Sequence, residues 1–189
     1  EPDAAVRMIA LLSALLRYSI DNRVRRVTLA EDAGYLEKYI EIQRQRFGAR
    51  LDYRQEIAAD AASCLVPKLL LQPIVENAIH YGADAEGNIR VRTRIFTEGA
   101  HLRILIEDAG AGMESETLAH LRGIMARGEN STVHTGVYNI HRRIQLLYGS
   151  SYGVEIIASP GGGTRVEMVL PVSREEEDED NAASDHRRG

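Results

Sequence analysis

"LLLQPIVENAIHYG", residues 69–82, is an apolar stretch at helical spacing with a carboxamide set into it. Leu70, Ile74 and Ala78 recur at four-residue intervals and can share the face turned to a core. Asn77 breaks the pattern. Asn is a poor residue for a helix interior, because its side chain competes for backbone hydrogen bonds. Asn77 and His80, three apart, are expected on a common second face. That face has two readings: a solvated polar stripe, or a place where a hard amide oxygen meets a cation such as Mg²⁺. The helix is expected over 66–81. Pro67 would then lie near its start, where a missing N–H costs least. Pro73 would lie inside it and kink it.

Asp108 lies thirty-one residues beyond Asn77, in "IEDAGAGM" (106–113). Alternating apolar residues lead into it, so the carboxylate ends a strand. The Asp-Gly combination alone reads as a turn. The alternative is the floor of a pocket, with Asp108 accepting from an exocyclic amine and Gly110 and Gly112 letting a flat base approach the backbone. "HTGVYNI" (134–140) sets Gly136 at the start of a helix, where free N–H groups favour an anion. "GGGT" (161–164) is either a flexible hairpin turn or a tight turn beside a ligand, with Thr164 available to hydrogen-bond.

The flanking segments give the architecture. "AAVRMIALLSALLRYSI" (4–20) is an amphipathic helix with Met8, Leu11, Leu12, Leu15 and Leu16 on one stripe. Thr28 and Glu31 have capping-box spacing and open a helix from Leu29 to Arg46, with Gly48 as its stop. Residues 49–58 begin a strand. Strands over 88–97 and 100–108 are joined by Glu98-Gly99. A helix from Ser115 to Met125, a polar segment 126–136, a helix 137–149 and two strands joined by "PGGG" follow. Consecutive antiparallel-looking strands beside several helices predict an α+β fold: a two-layer sandwich, its sheet mixed but mostly antiparallel, with helices on one face.

Composition excludes several classes. Lys and Arg number 23 against 28 Asp and Glu, a net charge of −5, and residues 174–189 carry −4 of it with seven acids and three arginines. The remainder is nearly neutral, which argues against a nucleic-acid partner. The single cysteine, Cys64, rules out an internal disulfide and a cysteine-cluster zinc site. No apolar run reaches transmembrane length, so no membrane contact is expected of this chain. The acidic tail 174–189 is expected to be disordered.

The order of the four stretches resembles the Bergerat ATP-binding fold of gyrase, Hsp90, MutL and the histidine kinases, as N, G1, G2 and G3 boxes. "LLRYSI", "YLEKYIEIQRQRFGARL", "VPKLLLQPIVENAIHYG" and "NIHRRIQLLYG" narrow this, over about residues 8–171, to a resemblance to the LytS/YesM-like sensor histidine kinases. The resemblance implies a histidine kinase catalytic domain that positions Mg²⁺-bound ATP. Asn77 would hold the metal, and His80 would sit near the phosphates. Asp108 would accept from adenine, with Gly110 and Gly112 beside it. Residues 123–135 would be a lid. Gly136 would support phosphate contacts, and Asn139 matches a polar position of the same box. Gly161, Gly163 and Thr164 would line the adenine end.

The same resemblance divides the chain into 1–27, a remnant of the dimerisation and phosphotransfer region with only its second helix, 28–173, the ATP-binding domain, and 174–189, the tail. It implies a cytoplasmic portion of a membrane-anchored, homodimeric sensor, a phosphoacceptor helix and a cognate response regulator. None of the six histidines (80, 101, 120, 134, 141 and 186) lies in the N-terminal helix. The phosphoacceptor is therefore expected outside this chain, and no autophosphorylation is expected of the chain alone.

Two departures bear on activity. The usual Gly-x-Gly-Leu-x-Asn of the G2 box is here His134-Thr135-Gly136-Val137-Tyr138-Asn139, so His134 either contacts a phosphate or weakens binding. ATPases of the superfamily carry an acid four residues before the N-box Asn, and here that position is Pro73. Glu76 precedes Asn77 directly, and about 100° of helix rotation separates neighbours, so it should not replace that acid. Glu76 and His80 remain the only candidate catalytic groups. The alternatives to a kinase are a nucleotide-binding signalling module without kinase activity and an ATPase of the same superfamily.

Overall fold

The computed structural model describes residues 2–20, 25–127 and 135–174. His134, most of the expected lid and the acidic tail lie outside these residues. Helix α1 (Pro2–Ile20) is followed by a short strand β1 (Arg26–Thr28), helix α2 (Leu29–Phe47), strands β2 (Leu51–Ile57) and β3 (Leu65–Pro67), and helix α3 (Gln72–Tyr81). Strands β4 (Ile89–Glu98) and β5 (His101–Asp108), helices α4 (Ser115–Arg127) and α5 (Thr135–Tyr148), and strands β6 (Gly153–Ala158) and β7 (Thr164–Pro171) complete it.

The local signals at α2 act as expected. Thr28 Oγ1 accepts from the Glu31 amide at 3.2 Å, and the Glu31 carboxylate accepts from the Thr28 amide at 3.0 Å. Such a cap stabilises a helix by about 1 kcal/mol. Gly48, at φ 58°, ends the helix in a conformation that suits glycine.

One expectation is corrected. The helix over 66–81 begins only at Gln72, and Leu65–Pro67 is a strand paired antiparallel with Arg26–Thr28. Pro67 closes that strand. Pro73 occupies the first turn of α3, where no N–H partner is required, so it starts the helix rather than kinking it. Between them Leu69 has φ 58°, and it is the only non-glycine described residue with a positive φ.

The main sheet has five strands in the order β2-β4-β5-β7-β6. Only β2 and β4 run parallel; the other pairs are antiparallel. Alternation sorts its faces. Ile89, Val91, Ile95, Leu102, Ile104, Ile106, Val166, Met168 and Leu170 are buried in the core with residues of α2, α3 and α5. The other face carries arginine and acid ladders: Arg92 with Asp52 at 2.6 Å, Arg103 with Glu98 and Glu167, and Arg165 with Glu107. The expected mixed, mostly antiparallel sandwich is therefore present. Among the described residues no helix is long and apolar enough to cross a membrane.

The stripe of α1 is only partly used. Val6, Ile9, Leu12, Leu16 and Ile20 are exposed, while Tyr18 is buried against α2.

Candidate functional site

Strand β5 delivers Asp108 to the edge of the core, where the carboxylate is fixed. Its Oδ1 accepts from the Gly110 amide at 3.0 Å and the Thr164 amide at 3.2 Å. Burial pushes its pKa above the ordinary carboxylate value, and the donors from Gly110 and Thr164 pull against that shift. The result is a partly desolvated acceptor that cannot rotate freely.

Four glycines make room around it. A side chain at Gly163 would run into the Asp108 carbonyl, and one at Gly112 into the Ser159 carbonyl; both residues have positive φ. At Gly110 an added Cβ would lie 2.7 Å from the Gly82 Cα and 2.8 Å from the Tyr81 carbonyl. Gly82 in turn presses on Asp108, 2.7 Å from Cβ to Cβ were it any other residue. The loops after β5 and before β7 are tied by the Gly161 amide, which donates to the Ala111 carbonyl at 2.7 Å. The glycines of "DAGAG" and "GGGT" thus permit close packing of the chain's own backbone around one carboxylate.

A cleft opens between this edge, α3 and the start of α5. Its cavity volume is small, about 40 Å³. Asn77, Tyr81, Asp108 and Thr164 supply its polar groups; Ile74, Ala78, Ile106, Met113, Leu121, Val137, Ile156 and Val166 supply apolar walls. A flat heteroaromatic ring with one donor edge suits such a lining.

Asn77 stands at the α5 side of the cleft. Its Nδ2 is buried without a hydrogen-bond partner among the described residues. An added Cβ at Gly136 would lie 3.3 Å from that nitrogen, so the glycine is what lets the first turn of α5 meet the amide. A buried, unsatisfied carboxamide is costly unless a ligand completes it. Oxygen and nitrogen of a carboxamide differ little in shape, so rotation of the group presents either a donor or an acceptor.

The structure separates other candidates. Asn77 and Tyr81, four apart, face the Asp108 cleft. Glu76 and His80, also four apart, line a different groove between α2 and α3, with Tyr39, Gln43, Arg46 and Arg50. The expected common face of Asn77 and His80 is therefore divided: 100° per residue carries His80 to the flank of α3. His80 keeps one link to the cleft, an edge-on contact with the Tyr81 ring at 4.5 Å between centroids. Asn139 is exposed on α5. Among the described residues no group of three or more His, Cys, Asp or Glu is placed to hold a metal. A cation here would take one amide oxygen from the protein and its remaining ligands from elsewhere.

Gly82 and Tyr81 escaped the sequence reading. Their signal was present in "HYG", because a glycine just past an apolar helix is a capping residue by default and its close approach to Asp108 needs the tertiary structure.

Residues 66–174 match the family described as "Histidine kinase-, DNA gyrase B-, and HSP90-like ATPase", and residues 1–51 match the family "Histidine kinase". The chain belongs to the histidine kinase-, gyrase B- and Hsp90-like ATPases. Within that family it is similar to "Sensor protein kinase HptS" of Staphylococcus aureus strain USA300, 31% identical over 173 residues. The alignment covers 92% of this chain and 33% of HptS, so the chain spans about a third of the length of the curated relatives it matches. The fold resembles the catalytic domain of histidine kinase ThkA, with a TM-score of 0.59 at 15% identity over 79% of this chain and 97% of that one. It also resembles the mycobacterial sensor histidine kinase MprB, with a TM-score of 0.54 at 20% identity over 80% of this chain and 99% of that one. The fold and the histidine kinase matches agree with the Bergerat-fold, histidine kinase part of the resemblance read from the sequence.

Proposed function

We propose that this chain binds Mg²⁺-ATP in the Asp108 cleft and presents its terminal phosphoryl group to a histidine outside the chain, as part of a two-component sensor. The carrying observation is the fixed Asp108 carboxylate in an apolar cleft that also holds the Asn77 amide, whose nitrogen has no partner among the described residues. Asp108 would accept from the adenine amino group, and Gly110, Gly112 and Gly163 would pack the flanking loops closely enough to hold that carboxylate in place for the base. Gly161 and Thr164 would complete that end. Asn77, the start of α5 at Gly136 and the G2 residues His134 and Asn139 would meet the phosphates.

Asn77 would hold Mg²⁺ through its amide oxygen. Mg²⁺ commonly takes few protein ligands, with phosphates and water completing its octahedron, and it neutralises phosphate charge during transfer. That habit fits a site with one hard donor.

Transfer rather than hydrolysis is favoured by one feature. Pro73 occupies the position where an ATPase of the superfamily needs an acid, and Glu76 faces the other groove. Nothing charged in the described part of the cleft besides Asp108 is available to activate water. An imidazole acceptor is itself a nucleophile and needs positioning more than a base. The partners would be a phosphoacceptor helix of the same or a second subunit and a response regulator.

Calorimetric titration of the chain with a non-hydrolysable ATP analogue, with and without Mg²⁺, tests this reading. Magnesium-dependent binding is expected. No heat and no thermal shift at millimolar nucleotide would support the alternative of a signalling module that keeps the fold without binding ATP.

A further inference from the structure

A buried carboxylate outside the cleft links α1 to the base of α3. Asp32, on α2, is 3% exposed. Its Oδ1 accepts from the Leu69 amide at 2.7 Å and from the Tyr18 hydroxyl at 3.2 Å. Its Oδ2 accepts from the Leu70 and Leu71 amides, both at 3.1 Å. Those amides lead directly into the first residue of α3, whose entry has no other side-chain cap. A buried carboxylate is costly by itself, and four donors are the condition for keeping one.

Leu69 is the strained member. Its φ of 58° is unfavourable for any residue with a Cβ. Both of its backbone groups are clamped: the N–H by Asp32 from α2, and the carbonyl by Arg143 Nη2 from α5 at 3.1 Å. Arg143 also donates to the Lys68 carbonyl at 3.0 Å. Strain of this kind persists only where surrounding structure over-determines it. The two clamps come from the helices on either side of α3. Helix α5 also supplies Gly136 beside Asn77, and α3 carries Asn77 itself.

Tyr18 brings the end of α1 into the same cluster. Its ring stacks on Tyr35 of α2 at 3.4 Å, and the Lys68 ammonium lies 4.2 Å above it. On the stripe of α1, Leu12 and Leu16 are exposed and Met8, Leu11 and Leu15 are half-buried. Arg7 pairs with Glu41 of α2, and Leu15 and Ser19 lie beside Leu69 and Pro73. The Tyr18 hydroxyl supplies the hydrogen bond from this helix to the α3 entry cluster.

We propose that Asp32 is a positioning residue for the nucleotide cleft, and that the Tyr18 hydroxyl couples the end of α1 to it through the clamped Leu69–Leu71 segment. Withdrawing Tyr18 removes one donor from Asp32, loosens the Leu69 clamp and shifts the first turn of α3, on which Asn77 depends. By reciprocity, nucleotide in the cleft strengthens the hold of the domain on α1. The proposal rests on the assignment of the cleft as an ATP site.

Tyr18→Phe tests it, because the ring and its stacking survive and only the hydroxyl is lost. Affinity for the magnesium–ATP analogue, measured well below the unfolding midpoint, is expected to fall about three- to tenfold, the share of one buried hydrogen bond. Asp32→Asn is expected to bind more weakly still. Ile40→Val, a core change on α2 at a residue that does not line the cleft, is expected to lower stability and leave affinity unchanged. Hydrogen exchange supplies a second readout. Nucleotide should slow exchange at Leu69–Leu71 and at the end of α1 in the unaltered chain. In Tyr18→Phe the slowing at α1 should disappear. Wild-type affinity in a folded Tyr18→Phe overturns the coupling while leaving the ATP site intact. Absence of binding in the unaltered chain overturns the ATP assignment and the coupling with it.

Discussion

Gly82 lies directly against Asp108, so close that a methyl group on it would stand 2.7 Å from the Asp108 Cβ and would overlap the Ala78 carbonyl. The residue after α3 and the end of β5 thus share one contact beside the cleft. Both partners of that contact are backbone or short side chain, so neither can swing away. Gly82→Ala is expected to displace Asp108 and to lower stability by about 1–3 kcal/mol, the usual range for overpacking. Denaturant unfolding with and without nucleotide checks it. A variant of native stability with native affinity would show that α3 yields at this point.

Asp108→Asn keeps the shape of the side chain and an oxygen for the Gly110 and Thr164 amides, so the fold should survive. What changes is the acceptor offered to the cleft. A hydrogen bond to a charged group is worth about 1.5–3 kcal/mol, so ATP affinity should fall by roughly ten- to a hundredfold. The unfolding midpoint without ligand should stay close to that of the unaltered chain. Titration calorimetry measures the first and a thermal melt the second. Unchanged affinity would remove Asp108 from base recognition.

How much of this was legible in the sequence differs by element. The capping box at Thr28 and Glu31, the hairpins at Gly99 and "PGGG" and the alternation of β4, β5 and β7 are local signals, and the elements formed where those signals fell. The segment 66–71 was misread because its apolar run is equally compatible with a helix and with a short buried strand. The choice was made by pairing with Arg26–Thr28, forty residues away in the chain, and by the Asp32 clamp. Asp32 itself was invisible: an acid in the first turn of an amphipathic helix is ordinary. Only burial marks it as structural. For His80, a spacing of three residues from Asn77 leaves the side of the helix ambiguous until its neighbours are known. Pairing Asn77 with Tyr81 and Glu76 with His80 needs the positions of α2 and the cleft.

Asn77→Ala separates function from stability. Among the described residues the amide nitrogen is buried without a partner, so its removal takes away a penalty of about 1–3 kcal/mol against the loss of some packing. The ligand-free protein should therefore melt at the same temperature or slightly higher. Magnesium-dependent nucleotide binding should be lost, while any residual magnesium-independent binding of the base persists. Paired titrations with Mg²⁺ and with a chelator read this directly. A clear drop in ligand-free stability would mean that Asn77 has a structural partner in solution.

Acid sensitivity should centre on His141. Its Nδ1 accepts from the Val154 amide at 3.0 Å, and an added Cβ at Gly153 would lie 2.8 Å from the ring, so the imidazole is tightly seated. Burial holds its pKa below the ordinary 6.5, and the Arg142 charge acts in the same direction. A second proton would also take the lone pair that receives the Val154 N–H. The unfolded chain therefore binds this proton more readily than the folded one. The stability contributed by neutral His141 is complete above about pH 6.5 and is lost as pH falls through the lower folded value. Asp32 and Asp108 work in the opposite sense, because burial raises both and the folded protein takes up their protons first as pH falls toward the carboxylate range. Comparison with His141→Gln, whose side-chain oxygen can still accept from Val154, isolates the histidine. Between about pH 7.5 and 5.5 the unaltered chain should lose more of its melting temperature than the variant. Parallel curves for the two proteins would mean that the Val154 contact opens without protonation.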